Sequence, residues 1–431
     1  MSAAVAPGAD GDLLLGANPG TFASLKVRNY KLFFWGQLVS VSGTWLQATA
    51  QAWLVLKELH GGAGALGLLT GLQMAPTLLF GLWAGVLADR MDRRKLVIAT
   101  NAWAAIMAAL LAVLTLTGAV RLWMVFVIAF LTGLANAVEM PTRQALVSEL
   151  VPTPLVQNAV GLNSATFNGG RVFGPAIAGL LIVVVGTGWC FALNAVSFVA
   201  VIVGLVMMRP ADMHLRARAV RAKGQIREGL AYAWASPVLR STLVLVFIVG
   251  LLTLNFTVFL PLLAKDVFHG DAGLVGVFSA VQGAGALVGS LAAARRAEFT
   301  PRMLAGSALA LGVSMLGMAA APVLWLELVL VACSGASFMT MMLTANATLQ
   351  LNSVPERRGR VMAIYVLMFA GTTPFGGPLL GAVCAHFGAR SGTALAGVSA
   401  LVAGLALPAV RQHAERGAAV AATDPTATLA D

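Results

Sequence analysis

Runs of about 20 apolar residues recur along this chain at intervals of roughly 30, and about 20 residues of helix are what it takes to cross the hydrocarbon of a bilayer. Twelve such windows can be drawn, at 32–56, 65–88, 96–117, 122–147, 156–185, 189–208, 241–263, 272–293, 303–320, 324–350, 360–385 and 392–410. Inside each the apolar residues are continuous instead of alternating with period two, so helices are expected and a barrel is not. Charged residues make up only 10% of the chain and hydrophobic ones 59%, where a soluble protein carries about 25% charged. The expected fold class is an all-α membrane protein with twelve transmembrane helices. No basic stretch precedes the short apolar run Leu13–Leu15, so a cleaved secretory leader is not expected.

A net charge of +11 would suit a nucleic-acid binder if it were spread over one surface, but here it is confined to loops. With the amino terminus in the cytoplasm, 23 of the 28 lysines and arginines fall on the cytoplasmic side. Lys57, Arg121, Lys265 and Arg390 fall on the other, and Arg171 alone lies within a span. This is the positive-inside pattern. Both termini are expected in the cytoplasm, with the lipid bilayer rather than nucleic acid as partner. The connection 209–240 carries seven basic residues and separates six spans from six, and suits a linker lying at an anionic leaflet. Val151-Pro152 recurs as Val354-Pro355, and Gly174-Pro175 as Gly377-Pro378, both 203 residues further on. Such a repeat marks a duplicated six-helix bundle with a site between the halves near midplane. The expected units are a disordered tail 1–24, a bundle 25–208, the linker 209–240, a second bundle 241–410 and a disordered tail 411–431. A monomer is expected.

Polar residues inside the spans locate the candidate site. In the first span Gln37, Ser40, Thr44, Gln47 and Gln51 share one helical face, because their spacing alternates between three and four. In the fifth, Asn168 and Arg171 continue a similar stripe, the seventh carries Asn255, and the tenth carries Thr344. A polar stripe on a membrane helix faces a water-filled cavity or hydrogen-bonds to another helix; for the first span the cavity is expected. Cys190, Cys333 and Cys384 lie in apolar windows without CxxC spacing and read as buried small side chains. Gly283, Gly285 and Gly289 follow no strand, which excludes a dinucleotide fingerprint. The five histidines are scattered. No metal, no cofactor and no enzyme activity is expected.

Two motifs carry a family resemblance. The loop GVLADRMDRRK, Gly85 to Lys95, resembles the cytoplasmic loop signature of the major facilitator superfamily at Gly85, Asp89, Arg90, Arg93 and Arg94, with Asp92 where that pattern usually has glycine. The stretch NGGRVFGPAIAG, Asn168 to Gly179, resembles the fifth-span signature of antiporters in that superfamily at Gly170, Gly174, Pro175 and Gly179. The segments EMPTRQALVSELVP and ERRGRVMAIYVLMFAGTTPFGGPLLG resemble bacterial drug and siderophore exporters of the enterobactin-exporter type, the transmembrane secretion effectors. The resemblance implies a major facilitator fold, export by alternating access and a proton as coupling ion. It also implies a cytoplasmic gate at Gly85, Asp89, Arg90 and Arg93, and a hinge motif at Gly170, Gly174, Pro175 and Gly179, repeated at Gly377 and Pro378.

Glu139 and Arg171 are the charges that an apolar environment makes expensive, at roughly 2.5–3.5 kcal/mol each. Counted from the cytoplasmic helix ends, Glu139 lies about 12 Å deep and Arg171 about 22 Å. That offset argues against a direct bond. Glu139 is expected to meet Arg143 one turn on, or Arg90 and Arg93 of the loop, and to extend the gate. As the only acid read inside a span, it is also the candidate proton carrier. Arg171 is expected to hold anionic substrate groups or to respond to a proton carrier. The expected function is proton-coupled export of amphipathic small molecules. The alternatives are a facilitator or symporter for a small polar solute and a non-transporting scaffold or sensor.

Overall fold

The structure, a computed structural model, describes residues 20–214, 225–295 and 300–423; within these, the side chains of Leu82, Asp89, 225–227, Ala294, Glu356, Ala370 and 408–423 lie outside the description. The expected linker core 215–224 lies outside the described residues, as does most of the first tail. Every regular element described is helical: α1 (Arg28–Trp53), α2 (Gly62–Arg90), α3 (Arg93–Leu116), α4 (Leu122–Glu149), α5 (Val156–Val185) and α6 (Thr187–Val206) form the first half. After α7 (Gln225–Ala235) come α8 (Pro237–Leu252), α9 (Phe256–Leu262), α10 (Ala272–Ala294), α11 (Pro301–Ala320), α12 (Leu324–Leu351), α13 (Pro355–Ala370), α14 (Thr373–Phe387) and α15 (Ala389–Thr423).

Among the described residues, eleven helical stretches are long and apolar enough to cross a membrane. α1 is as long as the others, at 26 residues, but its Gln and Thr stripe lowers its hydropathy. Two expected spans are each broken in two. The seventh parts into α8 and α9 at Thr253–Asn255. There the Thr253 hydroxyl donates to the Ala396 carbonyl of α15 at 3.2 Å. The eleventh parts into α13 and α14, where Pro374 has no N–H for the preceding turn and disfavours helical backbone at Thr373's neighbourhood. The last helix runs to Thr423, beyond the expected end at 410.

α1 packs on α5 and α6, α2 on α4, and α3 on α4 and α6; in the second half α10 packs on α12, α11 on α12 and α15, and α8 on α13 and α15. The halves meet along two seams, α2 against α14 and α5 against α10. Large side chains such as Trp83, Leu180 and Val196 point outward, at 76%, 67% and 67% exposed, a surface that suits lipid contact. One end of the bundle carries the arginine-rich connections, and is called the basic end. There Tyr30 is fully buried and its hydroxyl donates to the Ala159 carbonyl at 2.7 Å. Ser24 is buried too, its N–H donating to Asn158 Oδ1 at 3.0 Å, so packing begins before residue 25. α7 rests on α13 through an ion pair between Glu228 and Arg360 and through Arg357 lying over the Tyr232 ring at 5.0 Å. Part of the expected linker is therefore a docked helix.

At the opposite end both halves close a span in the same way. A π turn, Leu54–Glu58 or Leu263–Val267, leads to a histidine with left-handed backbone, His60 at φ 52° and His269 at φ 49°. The next N–H then reaches back to a carbonyl, Gly61 to Val55 and Gly270 to Ala264, each at 2.8 Å. The duplication thus extends to a turn 209 residues apart.

Candidate functional site

Charges at the basic end pair in two sets. Glu139 Oε1 meets Arg143 Nε at 3.0 Å one turn along α4, as its spacing leads one to expect, in a charge contact whose angle falls short of a hydrogen bond. Arg93 does not meet Glu139. It pairs with Glu149 at the end of α4, and both side chains are largely buried, at 14% and 5% exposed. Asp92 caps α3 by accepting from the Lys95 N–H at 3.1 Å, which gives the residue standing in for the family's glycine a structural task. Arg94 donates to the Leu205 and Val206 carbonyls at 2.7 and 3.0 Å, closing the end of α6. Gly85 is buried on α2 and Arg90 is exposed at its last turn; the side chain of Asp89 lies outside the described residues.

The polar face of α1 is divided between two seams. Gln47 is buried and accepts from Asn194 Nδ2 on α6 at 2.7 Å, and Ser197 donates to Asn194 Oδ1 at 2.9 Å. Gln51 accepts from Gln73 Nε2 on α2 at 3.1 Å. At these two positions the stripe faces other helices, where a polar group finds its partner without water, and the expected cavity lining does not extend to Gln47. Gln37 is buried and Thr44 exposed, the Thr44 hydroxyl donating to the Ser40 carbonyl at 2.9 Å. Asn168 donates to the Ser164 carbonyl on its own helix at 2.9 Å. Thr344 is fully buried and bonds back to Thr340 at 2.7 Å. Asn255, also fully buried, sits at the break of the seventh span, donating to the Leu251 carbonyl at 3.0 Å while its Oδ1 lacks a donor.

Arg171 is where the halves meet. From the middle of α5 its guanidinium lies over the Trp45 ring of α1 at 5.7 Å and over the Phe338 ring of α12 at 5.9 Å. One Nη donates to Gln282 Oε1 on α10 at 3.4 Å. Aromatic faces attract a cation and offset part of its lost hydration. Phe338 belongs to a larger aromatic group, 5.7 Å from Phe256 and 6.4 Å from Phe369, which stacks in turn on Tyr365 at 6.0 Å. Glu139 and Arg171 are not in contact, in agreement with their depths.

Sequence reasoning passed over an acid. Glu327, in the first turn of α12, is fully buried, and among the described residues neither carboxylate oxygen has a hydrogen-bond partner. Glu139 is therefore not the only acid within a span. Arg390, at the start of α15, spends an Nη on the Ala321 carbonyl at 2.9 Å instead. Gln282 was passed over too, as one amide in an apolar, glycine-rich window.

The glycine–proline motif fits two helices at once. A Cβ on Gly170 or Gly174 would come within 2.6 Å of Val41 Cγ1 or the Ser42 carbonyl oxygen, so these two glycines let α1 approach α5. Pro175 and Gly179 face the other half, where a Cβ on Gly276 would lie 2.7 Å from the Pro175 carbonyl oxygen and 2.8 Å from Gly179 Cα. The repeat motif builds the second seam, with a Cβ on Gly377 2.8 Å from the Gly67 carbonyl oxygen and the Pro378 ring against Gly71. Both seams lie towards the end opposite the basic one, and the α5–α10 seam continues to Arg171, whose carbonyl oxygen lies 3.4 Å from a Cβ on Gly283. Beyond them Lys265 Nζ crosses to the Leu56 carbonyl at 3.2 Å, beside a hollow of about 590 Å³ lined by Trp53, Lys57, Asp266, His269 and Asp271.

An all-helical chain whose two halves meet along glycine seams, with a partly buried cation where they meet, has the architecture of a secondary transporter of the major facilitator fold. Within that superfamily the chain belongs to the transmembrane secretion effector family, whose profile it matches over residues 19–428. It is a multi-pass membrane transporter and not an enzyme. It is 26% identical to the staphyloferrin A transporter of Staphylococcus aureus, over 86% of this chain and 93% of that protein. It is 27% identical to the multidrug efflux pump Tap of Mycolicibacterium fortuitum, over 82% and 90%, and 24% identical to macrolide efflux protein A of Streptococcus pyogenes, over 81% and 89%. Among solved structures, a bacterial homolog of the human lysosomal transporter Spinster, inward-facing and unoccupied, matches with TM-score 0.67 at 14% identity over 89% of this chain and 95% of that one. The nucleoside transporter NupG matches with TM-score 0.66 at 13% identity over 90% and 98%. At these identities the likeness is one of fold.

Proposed function

We propose that this chain exports amphipathic small molecules, of the drug and siderophore kinds handled by its relatives, across the plasma membrane in exchange for protons. Both termini face the cytoplasm in this reading, the working unit is the monomer, and the basic end is the cytoplasmic one. The bundles 25–208 and 241–410 rock against each other, so that the site opens to one side at a time. Arg171 carries the proposal, because it is the one described residue that sets a cation from one half against an aromatic ring and an amide of the other. A cation with π neighbours and no carboxylate of its own among the described residues suits a cargo that is partly apolar and partly polar. Trp45 and Phe338 supply apolar surface around it, Asn168 and Thr344 lie on the helices of Arg171 and Phe338, and Asn255 precedes Phe256, whose ring meets Phe338.

The remaining candidates divide between two gates. At the basic end Arg93 with Glu149 ties the start of α3 to the end of α4, Glu139 and Arg143 pair within α4 beside it, and Asp89 and Arg90 complete that gate. At the opposite end the Pro175–Gly179 and Gly377–Pro378 seams close the outward path. Glu139 is spoken for by Arg143, so Glu327 joins it as a candidate for the coupling proton. The test is accumulation of a panel of dyes, antibiotics and siderophores in a strain lacking its own pumps. Expression is expected to lower accumulation of at least one compound in a manner abolished by collapsing the proton gradient. If accumulation of none changes, the export reading fails.

A further inference from the structure

We infer that Arg171 and Gln282 together form a clamp for a carboxylate, and hence that the cargo is an amphipathic organic anion. The inference rests on the export reading above and adds the charge and shape of what is carried. It starts from two unfilled valences. The Arg171 guanidinium has five N–H donors, yet among the described residues its only hydrogen bond to a side chain is the 3.4 Å contact to Gln282 Oε1. No carboxylate pairs with it among the described residues. Gln282 is 3% exposed, and among the described residues its Nε2 has no acceptor. A buried donor left without a partner costs free energy, and the Gln282 Nε2 beside the Arg171 guanidinium completes a set of N–H groups that a carboxylate fills.

The Gln282 oxygen is then a stand-in. An amide oxygen at 3.4 Å is a weak acceptor for a guanidinium, and an arriving carboxylate is a much stronger one because the bond becomes charge-assisted on both sides. The anion displaces the amide oxygen and takes Arg171 through one oxygen or both. The Gln282 amide turns its Nε2 to the same group. Trp45 and Phe338 flank the guanidinium, so the body of the cargo meets apolar walls, which a compact hydrophilic anion would leave unused. Gln282 belongs to the second half and Arg171 to the first. The bound anion therefore replaces a direct contact between the halves with one made through itself, and each half registers whether the site is filled.

The test uses the purified full chain in lipid nanodiscs with 2-naphthoate and 2-naphthamide, which share a ring system and differ in charge. Calorimetric titration is expected to show naphthoate binding about tenfold or more tightly than naphthamide. Arg171→Gln is expected to erase that preference. Gln282→Leu is expected to weaken naphthoate several-fold while leaving naphthamide unchanged. Arg171→Lys, which keeps the charge should the glutamine variant not fold, is expected to bind naphthoate more weakly than the parent because a point charge cannot offer a fork. Equal binding of the two probes overturns the clamp. So does a preference that survives Arg171→Gln, a Gln282→Leu variant that weakens both probes alike, or a lysine variant as tight as the parent. Efflux from cells separates the two readings. Export of dyes with no preference for anions removes the clamp and leaves the exporter, whereas anion-selective binding without export of any compound removes the exporter and leaves the clamp.

Discussion

At the residue scale, chemistry that depends on near neighbours could be read from the chain, and chemistry that depends on distant ones could not. The Glu139–Arg143 pair follows from an i,i+4 spacing on one helix. Arg93 finds Glu149 across 56 residues, and Gln47 finds Asn194 across 147; no local pattern names such partners, since tertiary packing selects them. Glu327 was legible as an acid but sits at the mouth of its span, where a carboxylate ordinarily faces water. Three expected outcomes follow from these contacts. Glu149→Gln leaves Arg93 charged in a largely buried place and should cost about 2–4 kcal/mol, read as a lower thermal midpoint in detergent. Replacing Arg93 by Met in the same chain should recover part of that loss, and a double variant worse than the sum of the singles would refute the pairing. Glu139→Gln should retain ΔpH-driven uptake of a transported dye into inverted vesicles, because its carboxylate is committed to Arg143; complete loss of ΔpH dependence, with normal protein levels, would restore it as the carrier. Glu327→Gln removes a buried charge that no hydrogen bond supports. Its thermal midpoint should be no lower than the parent's, and a marked fall would show that attraction to the nearby Arg390 outweighs the cost of burying the carboxylate.

At the element scale, the glycine–proline motifs were visible as a repeat 203 residues apart. What could not be seen is that each motif also reaches across to the other half. Its partners, Gly276 for Pro175 and Gly67 for Gly377, come from helices of the other half, and their glycines read like any other small residues in an apolar window. The breaks in the seventh and eleventh spans were also hidden. Hydropathy averages over a window and registers neither Asn255 at a discontinuity nor the backbone conflict before Pro374. The seam makes a graded prediction. A side chain on Gly276 meets backbone atoms on α5 that cannot rotate away, so Gly276→Val should push the halves apart and abolish transport while the protein still reaches the membrane. Gly64→Ala, on the same end of the molecule but with nothing within 4 Å of the new Cβ, should transport normally. Normal transport by the valine variant would show that the seam is not needed.

For the whole molecule, the net result of these contacts is a bundle held shut at one end. Glycine seams supply shape, but they carry no charge and give the closed end little directionality. Lys265 supplies that. Its ammonium reaches from the π turn of the second half to the Leu56 carbonyl in the π turn of the first, and a cation at a helix carboxyl end also gains from the exposed carbonyl dipoles there. The contact must break whenever this end opens, so it sets part of the difference in free energy between closed and open forms. Lys265 is partly solvated, with 31% of its side chain exposed, which keeps the contribution to about 1 kcal/mol, or roughly a fivefold change in the open-to-closed ratio. Spin labels on cysteines introduced at Lys57 and Asp271, in a background without native cysteines, bracket the hollow beside the contact. Lys265→Met should move their distance distribution towards longer separations, whereas Lys265→Arg, able to reach the same carbonyl, should leave it near the parent's. A distribution unmoved by Lys265→Met would mean that the glycine seams alone hold this end closed.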